Sequence, residues 1–206
     1  MLRVMKRKLR FSTLYRFFGV FVLAFAALVA VWGFVAPVYN VAVAHVASPL
    51  FRLVESPDVT AVRPDGPELW IYRTDTGGTL RPFSYFDPYI YFGVVPLAAL
   101  LIATPAGLAK WGQRLGLGLT ALFAAHVIYL VGSVELTYAA IGLAPIPGGE
   151  GGRPFLDWAQ VLLRVGWQAA PVVIYVALSF GFWRGALHAV WTPREVGVTG
   201  EGGTLS

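Results

Sequence analysis

The chain has 206 residues, of which 57% are hydrophobic and only 13% charged, and its mean hydropathy is +0.65. A water-soluble domain carries about twice that charged share, so the composition points to a protein immersed in lipid. There is no cysteine, which excludes disulfides, thiolate nucleophiles, iron–sulfur ligation and Cys-type zinc sites. The net charge of +5 gathers beside apolar runs, where it reads as retention at a membrane and contact with anionic lipid rather than nucleic-acid binding.

Four apolar runs follow one another at 17–35, 89–109, 115–143 and 158–183. Each supplies about the 20 residues a helix needs to cross a ~30 Å hydrocarbon layer. Lipid offers the backbone no hydrogen-bond partner, so each run is expected to be helical. The first run is longer than the ~7–15 residues of a signal-peptide core and is read as a retained span. The expected fold class is an all-α membrane protein with four transmembrane helices and a small β insert between the first two.

Charge sets the expected orientation. Arg3, Lys6, Arg7, Lys8, Arg10 and Arg16 precede the first span, Lys110 and Arg114 lie between the second and third, and Arg184 and Arg194 follow the fourth. Most acids fall in the other two connections: Glu55, Asp58, Asp65, Glu68, Asp75, Asp87, Glu150 and Asp157. Basic residues stay on the cytoplasmic side, so all the basic clusters agree with both termini inside and a multi-pass location in the cytoplasmic (inner) membrane.

In chain order, a basic cytoplasmic segment covers 1–12. The first helix is expected to start near Ser12 or Thr13, either of which is a good cap. Pro37 is expected to bend or end it, with 38–54 as a tilted continuation or an interfacial helix on the outer side. Residues 55–88 are the one sizeable polar segment. Val59–Val62 and Leu69–Tyr72 read as strands around the turn Asp65-Gly66-Pro67, with a second turn at Asp75–Gly78 and a third short strand at Thr79–Arg81. About 30 residues hold too little core to stand alone, so this meander is expected to pack on the helices, the membrane surface or a partner. Spans two to four occupy 89–191. The stretch 145–154 reads as a loop without regular structure, and 192–206 as a mobile Gly-rich tail.

Polar residues within the spans are the candidates for function, because each is costly in hydrocarbon. These are His126 and Glu135 in the third span, and Gln160, Arg164 and Gln168 at helical spacing in the fourth. Antiparallel packing of these two spans predicts a Glu135–Arg164 pair, either a salt bridge between helices or part of a substrate or proton site; Arg164 otherwise snorkels outward. His126 is a candidate axial ligand for haem or chlorophyll. A second histidine at matching depth is lacking, since His45 falls on the outer side and His188 at the inner end. A hydrogen bond to Tyr129, Ser133 or Gln168 is the expected role of His126. Trp70, Trp158, Trp183, Trp191, Arg7 and Arg10 are expected interface anchors, as is His188. The aromatics Tyr72, Phe83, Tyr85, Phe86, Tyr89 and Tyr91 extend the outer belt. No GxSxG elbow, Walker motif, HExxH or dinucleotide-binding glycine pattern occurs, so no catalytic residue and no metal ligand is assigned, and any cofactor stays unidentified.

The stretch Tyr91-Phe-Gly-Val-Val-Pro-Leu-Ala-Ala-Leu-Leu-Ile-Ala-Thr-Pro105, with the turn Lys110-Trp-Gly-Gln-Arg114 and the Gly-rich start of the next span, resembles the small membrane proteins associated with exosortases, bacterial protein-sorting transpeptidases. Exosortases work through a membrane-embedded Cys with Arg and His. This chain has no Cys, so the resemblance implies an accessory protein or an inactive relative and carries over no functional residue. The leading expectation is therefore a non-catalytic accessory subunit of a larger bacterial membrane complex, with lipid and other membrane subunits as partners. The alternatives are a membrane enzyme or sorting component using Glu135, Arg164 and His45, and a subunit of a small transporter or of a pigment- or haem-containing complex with His126 near the cofactor.

Overall fold

The structure is a computed structural model, which describes residues 2–55, 59–66, 68–75, 83–84, 93–146 and 149–191; side chains are described from residue 15 onward, apart from 83–84, 150 and 185–191. It is mostly helical. Helix α1 covers Leu2–Val54, α2 Val94–Ala103, α3 Leu108–Ala140 and α4 Arg153–Trp191; strands β1 (Thr60–Asp65), β2 (Glu68–Arg73) and β3 (Phe83–Ser84) lie between α1 and α2. Three segments, Tyr15–Val54, Leu108–Ala140 and Arg153–Arg184, are long and apolar enough to cross a membrane.

Helix α1 departs from expectation at its start and takes one of the two expected forms at its end. It starts at Leu2 and runs through Ser12 and Thr13, so neither residue caps it. It also continues past Pro37 and Pro49 to Val54. A proline deletes one backbone hydrogen bond, but packing holds the helix together here. Ala36, Val43, Ala44, Ala47 and Phe51 are all buried against the rest of the molecule.

The second apolar run does not form a long helix. Helix α2 has 10 residues, about 15 Å at 1.5 Å per residue, half of a hydrocarbon layer. It ends because Thr104 precedes Pro105, whose ring disfavours helical backbone at the preceding residue; Thr104 is extended at φ −75°, ψ 119°. Residues 89–92 lie outside the described residues. Between β3 and α3 the chain still passes from one end of the bundle to the other. Strand β3 pairs with β2 at one end, α3 starts at the other, and the far end of α3 meets β1 through Thr60 and Tyr138. Phe17 of α1 and Trp183 of α4 stack edge-to-face with ring centroids 6.1 Å apart, so the start of α1 and the end of α4 share the end away from the hairpin.

The meander lies where its turn chemistry puts it. Strands β1 and β2 pair antiparallel from Thr60↔Arg73 to Asp65↔Glu68. Gly66 at the tip takes φ +56°, a left-handed conformation that glycine adopts without a Cβ clash. Along β2, Leu69 and Ile71 are buried and share the period-two face with Arg73. A third strand is Phe83–Ser84, paired with Ile71 and Trp70; the expected strand at Thr79–Arg81 lies outside the described residues. The hairpin packs on α1 and α3. Asn40 of α1, fully buried, donates from Nδ2 to Gly66 O at 3.2 Å. The expected loop at 145–154 contains a 3-10 turn at Gly149–Gly152 and the start of α4 at Arg153. The tail 192–206 lies outside the described residues.

Two cores form among the described residues. At the hairpin end, Val43, Ala47, Phe51, Leu69, Ile71, Leu130, Val134 and Tyr138 pack together. Toward the other end, Leu97 and Leu101 of α2 pack with Leu122, Tyr129, Trp167 and Tyr175. Gly118 marks the closest approach there: a Cβ on it would lie 2.8 Å from Leu101 Cδ1 and 3.2 Å from Leu178 Cδ1.

Candidate functional site

The polar residues of the spans divide into separate groups, and Glu135 does not meet Arg164. A cavity of about 340 Å³ opens at the hairpin end, lined by Glu55, Arg73 and Glu135 among apolar residues such as Val54, Leu136 and Leu156. Glu135 faces Glu55 at the end of α1 and lies within electrostatic reach of Arg73. Glu55 Oε2 and Glu135 Oε1 are both buried without a hydrogen-bond partner. Two facing carboxyls coexist when a proton or a cation lies between them.

Arg73 forms the wall of this cavity and ties the sheet to the helices. Its Nε and Nη2 donate to the two carboxylate oxygens of Asp75 at 2.9 and 2.6 Å, and Nη1 donates to Leu143 O at 3.0 Å. Its guanidinium lies 4.7 Å from the centre of the Tyr138 ring, a cation–π distance. The hydrogen bonds that Arg73 donates to Asp75 raise the Arg73 pKa and hold the Asp75 carboxyl below its ordinary value.

His126 is buried at mid-height of α3, and its partner is on another helix. Its Nδ1 lies 2.8 Å from the Tyr39 hydroxyl. The rings of Tyr39 and His126 stack with centroids 5.5 Å apart, and Trp167 of α4 lies 5.1 Å from the imidazole and 5.4 Å from Tyr129. The expected partners Tyr129, Ser133 and Gln168 are engaged elsewhere or point away. Tyr129 stacks on Trp167, Ser133 bonds its own helix at Leu130 O, and Gln168 is exposed. The physical reason is geometric: α1 passes α3 at this depth and brings a hydroxyl to the ring edge.

Arg164 and Gln168 stand exposed on α4, and His45 is exposed on α1, where its Nδ1 bonds Val41 O. The three residues of the expected membrane enzyme, Glu135, Arg164 and His45, therefore do not converge. Gln160 reaches Leu136 O of α3 at 3.4 Å, so α3 and α4 are antiparallel neighbours as expected, but this register places Arg164 a turn away from Glu135 and on another face.

Among the anchors, Trp158 is exposed, while Trp183 packs on Phe17 and Phe182 and donates from Nε1 to the Tyr175 hydroxyl at 3.3 Å. Tyr175 also meets Thr104 Oγ1 at 3.1 Å. Trp70 is half-buried in β2, with its Nε1 buried and unpartnered. The side chains of Arg7, Arg10, His188 and Trp191 lie outside the described residues. Sequence reading missed Tyr39, Asn40, Glu55 and Arg73. Asn40 carried a signal, an amide within an apolar run; the others looked like ordinary interface or loop residues. Among the described residues, no group of three or more His, Asp or Glu side chains has the geometry to hold a metal ion. No family model, curated protein or solved structure matches this chain.

Proposed function

We propose that this protein is a non-catalytic accessory subunit of a larger integral membrane complex in a bacterial inner membrane, and that it crosses the bilayer four times with both termini on the cytoplasmic side. The second crossing is made by the short α2 and its extended flank. Arg16, Lys110, Arg114 and Arg184 all belong to the end where Phe17 meets Trp183, which agrees with retention of positive charge inside. The sequence resemblance to exosortase-associated proteins favours the same role.

The observation that carries the reading is the outward face of α4. Gln160 reaches Leu136 O, Thr60 of β1 meets Tyr138, and Asn40, beside the Tyr39 that meets His126, bonds Gly66 at the hairpin tip, so the stretch of α4 from Phe155 to Trp167 stands at the height of the polar hairpin. Phe155, Trp158, Val161, Leu162 and Val165 are exposed on that stretch, and a contiguous apolar patch at the height of a polar sheet calls for cover by protein. A second membrane subunit covering this face meets that requirement. The separation of Glu135, Arg164 and His45 favours the same reading over a membrane enzyme.

Photo-cross-linkers at Val161 and Val165, which are 51% and 56% exposed on this face, test it in intact membranes. They are expected to capture a discrete membrane protein, whereas the same group at Leu23, exposed on α1, yields only lipid adducts. Lipid adducts alone at every position, with a lone 22.3 kDa species after mild detergent extraction, contradict the proposal.

A further inference from the structure

We propose that Glu55 and Glu135 share a single proton, and that this proton clasps the end of α1 to the last turns of α3 and closes the cavity beside Arg73. The clasp lies within this chain and stands apart from the subunit reading above.

Helix α1 ends at Val54, and Glu55 continues its last turn, with its N–H donating to Phe51 O at 2.7 Å. Glu135 stands a little over one turn before the end of α3 at Ala140. The two side chains line the same cavity and lie within hydrogen-bonding reach of each other. Glu55 Oε2 and Glu135 Oε1 are both buried, and neither has a hydrogen-bond partner. Carboxylates only accept hydrogen bonds, so two of them satisfy neither oxygen. One proton answers both: the acid form of either side chain donates its O–H to the other, a short charge-assisted bond. Facing carboxylates also give up their last proton less readily than a lone one. The cavity, about 340 Å³ and open at the hairpin end, gives that proton a route to solution.

The surrounding charges leave the pair in need of that proton. From β2, Arg73 lies within electrostatic reach of both carboxyls, but its ion pair with Asp75 is neutral overall and does not offset two facing carboxylates. From α3, Tyr138 stands near both carboxyls and meets Thr60 of β1. Helix α4 contributes the apolar Leu156, while its Arg153 and Asp157 are exposed, as is Arg52 of α1. A proton needs only the two oxygens, whereas hard cations take six or more oxygen ligands; among the described residues no three His, Asp or Glu side chains are grouped to hold a metal ion. The side chains of Asp58, Arg81, Asp87 and Glu150 lie outside the described residues and are varied in the test. Once rising pH removes the proton, two like charges face each other where α1 meets α3, and the clasp opens.

The test uses the full-length protein in detergent micelles. The chain has no cysteine, so spin labels attached after Leu53→Cys and Ala140→Cys, both exposed positions, report the separation of α1 and α3. Infrared difference spectra report the protonated carboxyl. At neutral pH the protonated-carboxyl band is expected to be present and the separation short. As pH is raised, the band is expected to disappear and the separation to widen with one midpoint. Glu55→Gln and Glu135→Gln each give the remaining carboxylate a permanent N–H donor, so both are expected to lose the band and keep the short separation at every pH. Asp58→Asn, Arg81→Gln, Asp87→Asn and Glu150→Gln are expected to leave the midpoint in place. Circular dichroism of each variant confirms that it is folded. Widening that persists in the Glu55 and Glu135 variants, or that is abolished in any of the other four, overturns the shared proton. Absence of the band at neutral pH in the labelled parent overturns it as well. Reclosure at alkaline pH on adding sodium or calcium assigns the bridge to a cation and also overturns the proposal.

Discussion

The two ends of the bundle solve the same packing problem with different materials. At the hairpin end, α1 and α3 extend alongside a sheet, and the core of Val43, Phe51, Leu69, Ile71 and Tyr138 is bordered by charge: Arg73, Asp75, Glu55 and Glu135. At the other end, the short α2 wedges between longer helices, and the core of Leu97, Leu101, Leu122, Trp167 and Tyr175 is bordered by hydroxyls and an indole. The hairpin end therefore depends on directional, solvent-sensitive contacts, and the α2 end on close approach and shape. The mid-height pair Tyr39–His126 joins the two.

Substitutions can break this contrast. The largest effect is expected at Gly118→Leu, where even a Cβ meets Leu101 and Leu178. Overpacking of this kind costs ~1–3 kcal/mol, so the melting temperature in detergent should fall, with the hairpin end following only as the bundle loosens. Gly118→Ala should be much milder, because leucine tips can shift and alanine favours helix by about 1 kcal/mol; an equal loss for both variants contradicts the wedge. Next comes Asn40→Leu, which leaves Gly66 O without the amide that reaches it. Gly66 is exposed, so water takes over its carbonyl and the loss is that of one hydrogen bond, ~0.5–1.5 kcal/mol; hydrogen exchange should rise in β1 and β2 while α2 stays protected. Tyr39→Phe removes the hydroxyl bound to His126 and should cost about 1 kcal/mol, felt equally at both ends.

The smallest effect belongs to Asp75→Asn. Arg73 keeps the Asp75 carboxyl below its ordinary pKa, so the stabilisation from this pair is present above the ordinary carboxylate range. It is lost as pH falls through the depressed value. The variant should increase exchange in β2 slightly at neutral pH and be indistinguishable from the unsubstituted protein under strongly acidic conditions. An effect that grows on acidification contradicts the assignment.

Hydropathy made the three long helices legible, and turn residues made the hairpin legible, because both signals are local. The short α2 was not, although its cause is written in the chain: Pro105 forces Thr104 out of the helix, and composition alone does not register one residue's backbone. Between a continuation of α1 past Pro37 and an interfacial helix the sequence left the choice open, since the contacts that support the continuation come from distant segments. The same limit applied to the polar residues. Helical spacing placed Gln160, Arg164 and Gln168 on one stripe, but the rotation of α4 that turns Arg164 outward is set by Trp167 docking on His126 and Tyr129. Glu55 and Arg73 reach Glu135 only once the sheet folds back onto α1 and α3.

The central claim is that the exposed face of α4 at the height of the hairpin is covered by another subunit. Native mass spectrometry of the protein extracted directly from its own membrane into lipid nanodiscs tests this most directly. The account predicts a heteromeric assembly that dissociates when Val161→Lys and Val165→Lys are combined, with helical content unchanged. A monomer or homo-oligomer of the 22.3 kDa chain, identical with and without those substitutions, contradicts it.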